Sequence, residues 1–186
     1  MEQMINKDFC WDDNFTKIQV KDLKENTIKL ISEDWMLVGA GTKEKFNALT
    51  ASWGAIGFIW NKPTLTAYIR DNRYTYEFMQ QSNNFTVSIL EDGLKDAMMI
   101  CGRESGRDSN KIQKAGLKPV LTPSENVSYE QAKVVIECRK LFVSEISLDS
   151  LVCEDKEDIK NAFYVKDSAL HQQFIAEITA LWIKKD

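Results

Sequence analysis

The sequence has 186 residues, of which 44% are hydrophobic and 28% are charged, and its formal net charge is -4. This composition is typical of a globular protein long enough to bury a sizeable core, and it excludes a disordered or fibrous chain. The acidic balance argues against a general nucleic-acid-binding protein, which carries a basic surface.

The cysteines and the single histidine, His171, do not form a zinc motif. A zinc site normally uses closely spaced pairs of thiolate and imidazole ligands, so we expect no metal. Isolated thiols are typical of a reducing compartment, and residues 1–10 lack the apolar stretch of a signal peptide. We therefore expect a cytoplasmic protein that neither binds nucleic acid nor spans a membrane. The isolated cysteines are Cys10, Cys101, Cys138 and Cys153.

The first predicted strands follow a polar N-terminal segment. Residues 1–34 are rich in lysine and acidic residues and predict a surface arm, as a short helix or extended chain. Trp35–Gly39 is apolar enough for a buried strand, and residues 40–43 predict a turn. The next candidate strand runs from Asn47 to Ile56 and is followed by a break at residues 61–63.

The central segment predicts a strand that leads into a helix. Thr64–Arg70 alternates apolar and polar side chains, as a half-buried strand does. Asp71 or Asn72 can cap a helix that continues to Gln81. Arg73 then lies near the N-terminus of that helix, where the helix dipole disfavours a cation, and this placement indicates a bound anion.

The second half predicts helices first and long strands later. Phe85–Leu90 alternates again, Leu94 to Cys101 has helical spacing, and a short helix is expected from Asp108 to Ala115. Lys133–Val143 and Gln173–Ile183 are strand candidates. In the first of these strands, alternation places four residues on one face: Val134, Ile136, Cys138 and Phe142. In the second strand, it places five residues on one face: Phe174, Ala176, Ile178, Ala180 and Trp182.

About six strands, short helices and no regular alternation of strand and helix predict an antiparallel barrel or sandwich with helical inserts. No G-x-G-x-x-G or P-loop motif follows a predicted strand, which disfavours a doubly wound nucleotide-binding fold. The acidic region at residues 144–165 gives no clear assignment.

Two segments carry candidate binding chemistry. Residues 47–54 are rich in small and hydroxyl-bearing side chains, so a flat ring could approach the backbone. Taken alone, this segment is better explained as a half-buried strand with solvated hydroxyls. Residues 70–76 gather two arginines, a hydroxyl and a helix start, which suits a phosphate monoester. The alternative there is a solvated turn whose arginines pair with Asp71, Glu77 or Asp92.

Together these segments resemble the flavin reductase-like family of FMN-binding split barrels, which includes the flavoredoxins. The order and approximate spacing of the matching motifs agree from Trp35 to the end of the sequence. The motifs are Trp35–Gly41, Asn47–Gly57, Trp60–Pro63, Ile69–Thr75, Cys101–Gly102, Ser105–Lys111, and His171 with Phe174–Ile178. Leu49 stands where relatives often carry methionine, and the acidic run at residues 154–158 has no counterpart that we can align.

The resemblance implies one FMN-binding domain over residues 1–186, folded as an antiparallel Greek-key split β-barrel and assembled as a homodimer. Residues 47–53 would line the isoalloxazine, and the arginines, with Thr75 and Ser52, would hold the phosphate. Lys111 is expected to reach the flavin or the phosphate. The implied cofactor-binding residues are Asn47, Ala48, Leu49, Thr50, Ser52, Trp53, Arg70, Arg73, Tyr74, Thr75 and Lys111.

The activity implied by the resemblance is hydride transfer from NAD(P)H to FMN. His171 is a candidate catalytic residue near the nicotinamide, and a histidine that only bonds the backbone is the alternative. A flavoredoxin-type electron carrier that serves partner proteins, among them an oxygenase, is a second hypothesis, and a binding module without turnover is a third. Cys101 is better explained as a small buried side chain than as a reactive thiol. Trp53 and Trp60 could stack on a ligand or pack in the core.

Overall fold

The computed structural model of the protein describes residues 4–165 and 169–185. Among these residues, eight strands form one antiparallel sheet and two short strands, β7 and β8, form a separate hairpin. The strands are β1 (Phe15–Ile18), β2 (Met36–Gly41), β3 (Phe46–Ala51), β4 (Gly54–Ile59), β5 (Lys62–Arg70), β6 (Asn84–Leu90), β7 (Pro119–Leu121), β8 (Val127–Tyr129), β9 (Ala132–Glu145) and β10 (His171–Lys184).

The strand order along the sheet is β3-β2-β6-β9-β10-β5-β4, and β1 pairs with the C-terminal part of β10. The two longest strands, β9 and β10, have 14 residues each and pair over most of their length, so they form the centre of the sheet. Every pairing is antiparallel. This architecture confirms the antiparallel β-barrel with helical inserts that was predicted from the sequence.

Short helices fill the connections between strands. Two of them matter for the site: α3 follows β5, and α6 lies in the acidic region that gave no clear sequence assignment. The helices are α1 (Trp11–Asn14), α2 (Thr27–Lys29, continued by a wider turn over Leu30–Asp34), α3 (Tyr74–Gln81), α4 (Lys95–Arg103), α5 (Lys111–Lys114) and α6 (Lys156–Phe163), with single 3₁₀ turns at Val20–Asp22 and Leu148–Ser150.

The part of the sheet around β2, β3, β6 and β9 is buried on both faces. One face encloses the barrel core, which contains Val38, Leu49 and Ile136. Their sequence neighbours Leu37, Ala48 and Val135 point to the opposite face. That second face is covered by α1, α4, α5 and the β7–β8 hairpin. Successive residues of β2, β3 and β9 are therefore buried on opposite sides, as expected of strands with a side-chain period of two.

The predicted strand from Asn47 to Ile56 is wrong, because the chain changes pairing partner after Ala51. β3 pairs with β2, whereas β4 pairs with β5, and Ser52 and Trp53 lie between them. Gly54 permits this crossing, since a Cβ there would lie 2.5 Å from the Thr66 carbonyl oxygen. A residue with a side chain could not approach the neighbouring strand so closely.

Two predicted turns are displaced along the chain. Residues 40 and 41 belong to β2, and the turn lies at residues 42–45, where the Thr42 N–H donates to the Lys45 carbonyl oxygen at 2.8 Å. The break predicted at residues 61–63 occurs at Trp60 and Asn61, whose φ angles of 52° and 57° form a tight hairpin turn. Such positive angles match the twist of the paired strands.

β-Bulges explain the errors in the predicted faces of the long strands. The register of β9 and β10 shifts between Ile178 and Ala180, so Ala180 and Trp182 join the outer cluster instead of the barrel core. A second shift lies between Ile175 and Ala176, and beyond it Phe142 is 43% exposed. One extra residue reverses the alternation of every residue that follows it.

The helix-capping prediction is also wrong. Arg73, rather than Asp71 or Asn72, is the N-cap residue of α3, and its side chain makes no capping hydrogen bond. The placement of Arg73 at the N-terminus of this helix is confirmed. Over residues 4–165 and 169–185, no helix is long and apolar enough to cross a lipid bilayer.

Candidate functional site

Two of the predicted binding residues meet although they are distant in sequence. Asn47 on β3 donates from Nδ2 to Oγ1 of Thr75, in the first turn of α3, at 2.8 Å. Both residues are almost completely buried. The Asn47 Oδ1 atom has no hydrogen-bond partner among the described residues, although it is buried. A buried acceptor of this kind favours a ligand that can donate to it.

Glycine backbone covers this part of β3. A Cβ on Gly106 would lie 2.3 Å from Asn47 Oδ1 and 3.2 Å from Cδ1 of Tyr74. A Cβ on Gly102 would lie 3.3 Å from the Cβ of Thr50. The last turn of α4, at Gly102, and the loop that follows it, at Gly106, can therefore approach β3 closely because both positions lack a side chain.

The other predicted ring contacts on β3 have structural roles. The Thr50 hydroxyl donates to the Met98 carbonyl oxygen of α4 at 2.6 Å. Ala48 packs in the outer cluster and Leu49 in the barrel core. Their side chains therefore fix the position of β3, and the strand offers a ligand mainly its backbone and Asn47.

Cationic side chains gather around the start of α3. Arg73 is exposed, and its Nη1 donates to the Gly102 carbonyl oxygen at 3.4 Å. Lys111, the first residue of α5, is buried and donates from Nζ to the carbonyl oxygens of Cys101 at 2.8 Å and Glu104 at 3.1 Å. Desolvation by burial, together with the charge of Arg73, lowers the pKa of Lys111 to about 8.

Arg107 is a cation that the sequence predictions missed. It forms an ion pair with Glu77, donates to the Asn72 carbonyl oxygen at 3.3 Å, and lies over the Tyr74 ring at 4.9 Å. The signal available in the sequence was its position within the Gly-Arg-Asp motif at residues 106–108. Arg107 thus contacts residues at the start of α3, where Arg73 is the N-cap residue.

A second group of predicted residues lies near the start of β10. His171 pairs with Arg70 in the β5–β10 register, and the His171 and Trp53 ring centroids are 4.8 Å apart. The Tyr164 hydroxyl lies 3.0 Å from His171 Nδ1, and Arg70 lies over the Tyr164 ring at 5.7 Å. Burial raises the pKa of the Tyr164 phenol, which keeps it protonated at neutral pH.

The end of α6 anchors this second group. The Phe163 carbonyl oxygen accepts a hydrogen bond from Arg70, and the Phe163 ring packs edge-on against Trp53 at 5.0 Å. Ser52 is exposed beside Trp53, between β3 and β4. The side-chain contacts of Arg70 thus lie on the His171 side, whereas those of Arg73 lie on the Gly102 side.

The thiol of Cys101 has no nucleophilic character at neutral pH. It is fully buried, and desolvation raises its pKa to about 11. This agrees with the interpretation of Cys101 as a small buried side chain. Among the described residues, no cluster of three or more histidine, cysteine, aspartate or glutamate side chains could hold a metal ion.

Sequence comparison identifies one family. A model of the flavin reductase like domain matches residues 29–186, which is most of the chain. Among curated proteins, no significant match to the sequence was found.

Solved structures share the fold at low sequence identity. The FMN-binding domain of a flavin reductases-like enzyme from Shewanella baltica is 18% identical, with a TM-score of 0.64 over 91% of this chain and 77% of that chain. A flavoredoxin from Methanosarcina acetivorans is 20% identical, with a TM-score of 0.61 over 81% of this chain and 68% of that one. The NADH:FAD oxidoreductase SgcE6 from Streptomyces globisporus is 14% identical, with a TM-score of 0.58 over 81% and 77%.

Proposed function

The chain belongs to the flavin reductase-like family, and on that premise we propose that it binds FMN and reduces it with NAD(P)H. The observation that carries the proposal is the buried, unpartnered Oδ1 of Asn47 beneath a glycine loop. FMN supplies the redox chemistry when it is bound, and the chain supplies binding and orientation. Solved proteins of the same fold include FMN-binding and NADH-dependent members.

The phosphate of FMN is assigned to the start of α3. Arg73 and Arg107 can provide charge-assisted hydrogen bonds, and the helix N-terminus adds a positive dipole. Lys111 contributes less directly, because its hydrogen bonds hold the carbonyl groups of Cys101 and Glu104 in place. Its main effect is to fix the end of α4 at Gly102 and the loop that carries Gly106.

The flavin ring is assigned to β3 and the turn that follows it. Asn47 Oδ1 can accept from an N–H or O–H group, and the backbone of β3 can bond the polar edge of a flat ligand. Ser52 adds a hydroxyl and Trp53 adds an aromatic surface. Residues 70 to 75 connect the ring side of the site to its phosphate side.

In the reduction step we assign a positioning role to the His171 group, which consists of His171, Trp53, Tyr164 and Arg70. Tyr164 bonds the His171 ring at Nδ1 and Trp53 packs against it, so the imidazole orientation is fixed. The His171 group would hold a nicotinamide next to the flavin, and the bound cofactors would supply the hydride chemistry, so the chain need offer no base. In that arrangement His171 would polarise or protonate the flavin.

We also propose that two copies of the chain associate through the β4–β5 hairpin. Phe58 and Trp60 at its tip are 71% and 57% exposed, and Ile59 between them is partly exposed as well. An exposed apolar patch of this kind is typical of an interaction surface. Sedimentation analysis should find a dimer that Phe58→Asp weakens, whereas Val152→Asp, at another exposed apolar residue, leaves it unchanged. A monomeric wild-type chain would contradict this assembly.

A flavoredoxin-type electron carrier is the second candidate. The acidic first turn of α6 is exposed, and α6 ends at Phe163 beside Trp53, so a basic partner protein could dock near the site. Such a carrier would bind FMN in the same place and obtain its electrons from a protein. An acceptor protein or a partner oxygenase fits either candidate.

Stopped-flow absorption spectroscopy separates the two candidates. The FMN-loaded protein is mixed anaerobically with NADH or with NADPH, and bleaching of the bound flavin is followed. The reductase proposal expects rapid bleaching with at least one of these nucleotides. Bound FMN that neither nucleotide reduces, but that dithionite does reduce, would exclude the reductase and leave the carrier.

A further inference from the structure

The helix α6 leaves its apolar face uncovered. None of its eight residues is buried. Ile159, Ala162 and Phe163 have the spacing of one helix face, and Ala162 and Phe163 are exposed. A helix shorter than about 12 residues gains most of its stability from packing such a face on other elements. The Phe163 ring contacts Trp53 at 5.0 Å but the residue remains 43% exposed, so α6 keeps an apolar surface that a partner can cover.

Other apolar side chains beside α6 are exposed as well. Val152 is 98% exposed and Val165 is 69% exposed. Their sequence neighbours Leu151 and Tyr164 line one cavity, so the two ends of the segment between β9 and β10 lie close together. Neighbouring exposed apolar side chains with a polar rim are typical of a protein interaction surface.

The charge around these apolar side chains indicates the kind of partner. Residues 145–165 contain six acidic residues and two lysines, a net charge of -4 that equals the net charge of the whole chain. One of the lysines, Lys160, forms an ion pair with Glu157 at 3.0 Å. The rest of the chain is therefore balanced in charge. The acidic residues of the segment are Glu145, Asp149, Glu154, Asp155, Glu157 and Asp158, and all six are exposed.

The folding of α6 accounts for only part of this charge. The helix dipole favours acidic side chains in the first turn, which explains Glu157 and Asp158. Asp149 and Glu154 lie before the helix, and their side chains make no hydrogen bond or ion pair with any residue that the structure describes. These carboxylates remain available to cations of another molecule.

We infer that the α6 surface, formed by the exposed residues of 145–165, binds a protein that presents lysine and arginine side chains around an exposed apolar centre. Opposite charges steer such a partner to the surface, and burial of Val152 and Phe163 stabilises the complex. Phe163 contacts Trp53 and Tyr164 bonds His171, so the partner docks beside the proposed flavin site. The inference rests on the proposed function for the role of this partner as an electron acceptor. It deepens that function by naming the docking residues and the chemistry that they recognise.

The test measures the binding of cytochrome c to the FMN-loaded full-length protein by isothermal titration calorimetry. Cytochrome c is the probe because lysines surround its exposed haem edge. Cytochrome c with acetylated lysines is the matched control, since acetylation removes the charges and leaves the haem. At low ionic strength cytochrome c should bind about tenfold or more tightly than the acetylated form, and added salt should weaken its binding. No binding of cytochrome c, or equal binding of the two forms, would overturn the inference.

Two double variants with the same change in net charge locate the binding surface. Asp149→Lys with Glu154→Lys reverses two charges of the α6 surface and should weaken cytochrome c binding about tenfold or more. Asp8→Lys with Glu125→Lys is the control. Both of its residues are exposed, and they lie in the N-terminal segment that bonds β7 and in the β7–β8 turn. Equal effects of the two double variants would overturn the inference.

Val152→Ser tests the apolar part of the surface. Folding leaves Val152 almost fully exposed, so the substitution should not change the stability of the protein. It should weaken cytochrome c binding severalfold, because the complex loses a buried apolar contact. Unchanged affinity would show that no apolar centre is recognised and would overturn the inference.

FMN titration and sedimentation of the same proteins separate this inference from the proposed function and assembly. If FMN binds and cytochrome c does not, the docking inference fails and the proposed function stands. If FMN does not bind, the proposed function fails, and cytochrome c titration of the unloaded protein still decides the docking surface. Normal FMN affinity of both double variants shows that they are folded. Loss of a dimer in Asp149→Lys with Glu154→Lys would show that a second copy covers the α6 surface and would overturn the inference.

Discussion

Asn47 and Thr75 form a buried hydrogen bond of 2.8 Å that joins β3 to the first turn of α3. The bond links the segment assigned to the flavin ring with the segment assigned to the phosphate. It also uses the Asn47 amide nitrogen, so the amide oxygen is left facing the Gly106 loop. The two halves of the proposed site are therefore held in one fixed relationship.

Replacing Thr75 by valine should destabilise the protein by about 1–3 kcal/mol, because the buried Asn47 amide loses its acceptor. Urea unfolding measures this change in the free energy of unfolding. Thr75→Ser keeps the hydroxyl and should retain most of the stability. If Thr75→Val is as stable as wild type while Thr75→Ser is destabilised, the methyl packing rather than the hydrogen bond is what matters at this position.

Gly106→Ala should disturb the site because its Cβ would lie 2.3 Å from Asn47 Oδ1. Overpacking of this kind costs about 1–3 kcal/mol, and the displaced loop should also weaken FMN binding. Gly57→Ala is the matched control, since a Cβ on Gly57 meets nothing within 4 Å. Thermal unfolding and FMN titration of both variants check this. Identical behaviour of the two variants would contradict the close packing of the loop on β3.

Arg73→Ala should weaken FMN binding by about 1.5–3 kcal/mol, the range for a hydrogen bond to a charged group. Fluorescence titration of the unloaded protein with FMN gives the dissociation constant. Arg139→Ala removes the same charge from an arginine that pairs with Glu177, and it should leave the constant unchanged. An unchanged affinity of Arg73→Ala would show that the phosphate binds elsewhere. Riboflavin, which lacks the phosphate, should bind wild type and Arg73→Ala alike.

Lys111 should make stability depend on pH in a defined window. Its pKa is lowered from 10.5 to about 8 by burial, so between these values the unfolded chain binds more protons than the folded one. Stability from this group therefore rises with pH across the window and is lost as pH falls through about 8. From pH 8 to 10.5 the unfolding free energy of wild type should therefore rise relative to that of Lys111→Met, which has no titrating group at this position. A difference that stays constant would contradict the burial of a titrating amine.

The sequence correctly predicted the elements whose signals lie within a few neighbouring residues. The alternation in Thr64–Arg70 gave β5, and the position of Arg73 at the start of α3 was correct. The close approach at Gly54 and the pairing switch at Ser52 depend on residues of β2 and β5 that are distant in sequence. No local pattern encodes such contacts.

The bulge near Thr179 is a second feature that local sequence patterns do not predict. Alternation alone placed Trp182 with Phe174, whereas the register shift moves Trp182 to the outer cluster. There its indole N–H donates at 2.9 Å to the carboxylate of Glu137. Glu137 is completely buried and also accepts from the Thr122 hydroxyl at 2.8 Å. The sequence showed only an acidic residue within an apolar strand.

The candidate site was only partly visible in the sequence. The segments around Asn47 and Arg73 stood out by composition, but the contact between them did not. Arg107 reaches the site from a loop and Tyr164 from the residue that follows α6, so their involvement depends on the folded chain. The assignment of FMN to these residues depends on the family, and the contacts supply its physical rationale.

The identity of the bound cofactor tests the central claim most directly. The protein is purified, its visible spectrum is recorded, and any released compound is identified by mass; the cofactor-free protein is then titrated with FMN. The account predicts the absorption bands of an oxidised flavin, the mass of FMN, and saturable binding of one FMN per chain. A colourless protein that FMN does not bind at any concentration tested would contradict it.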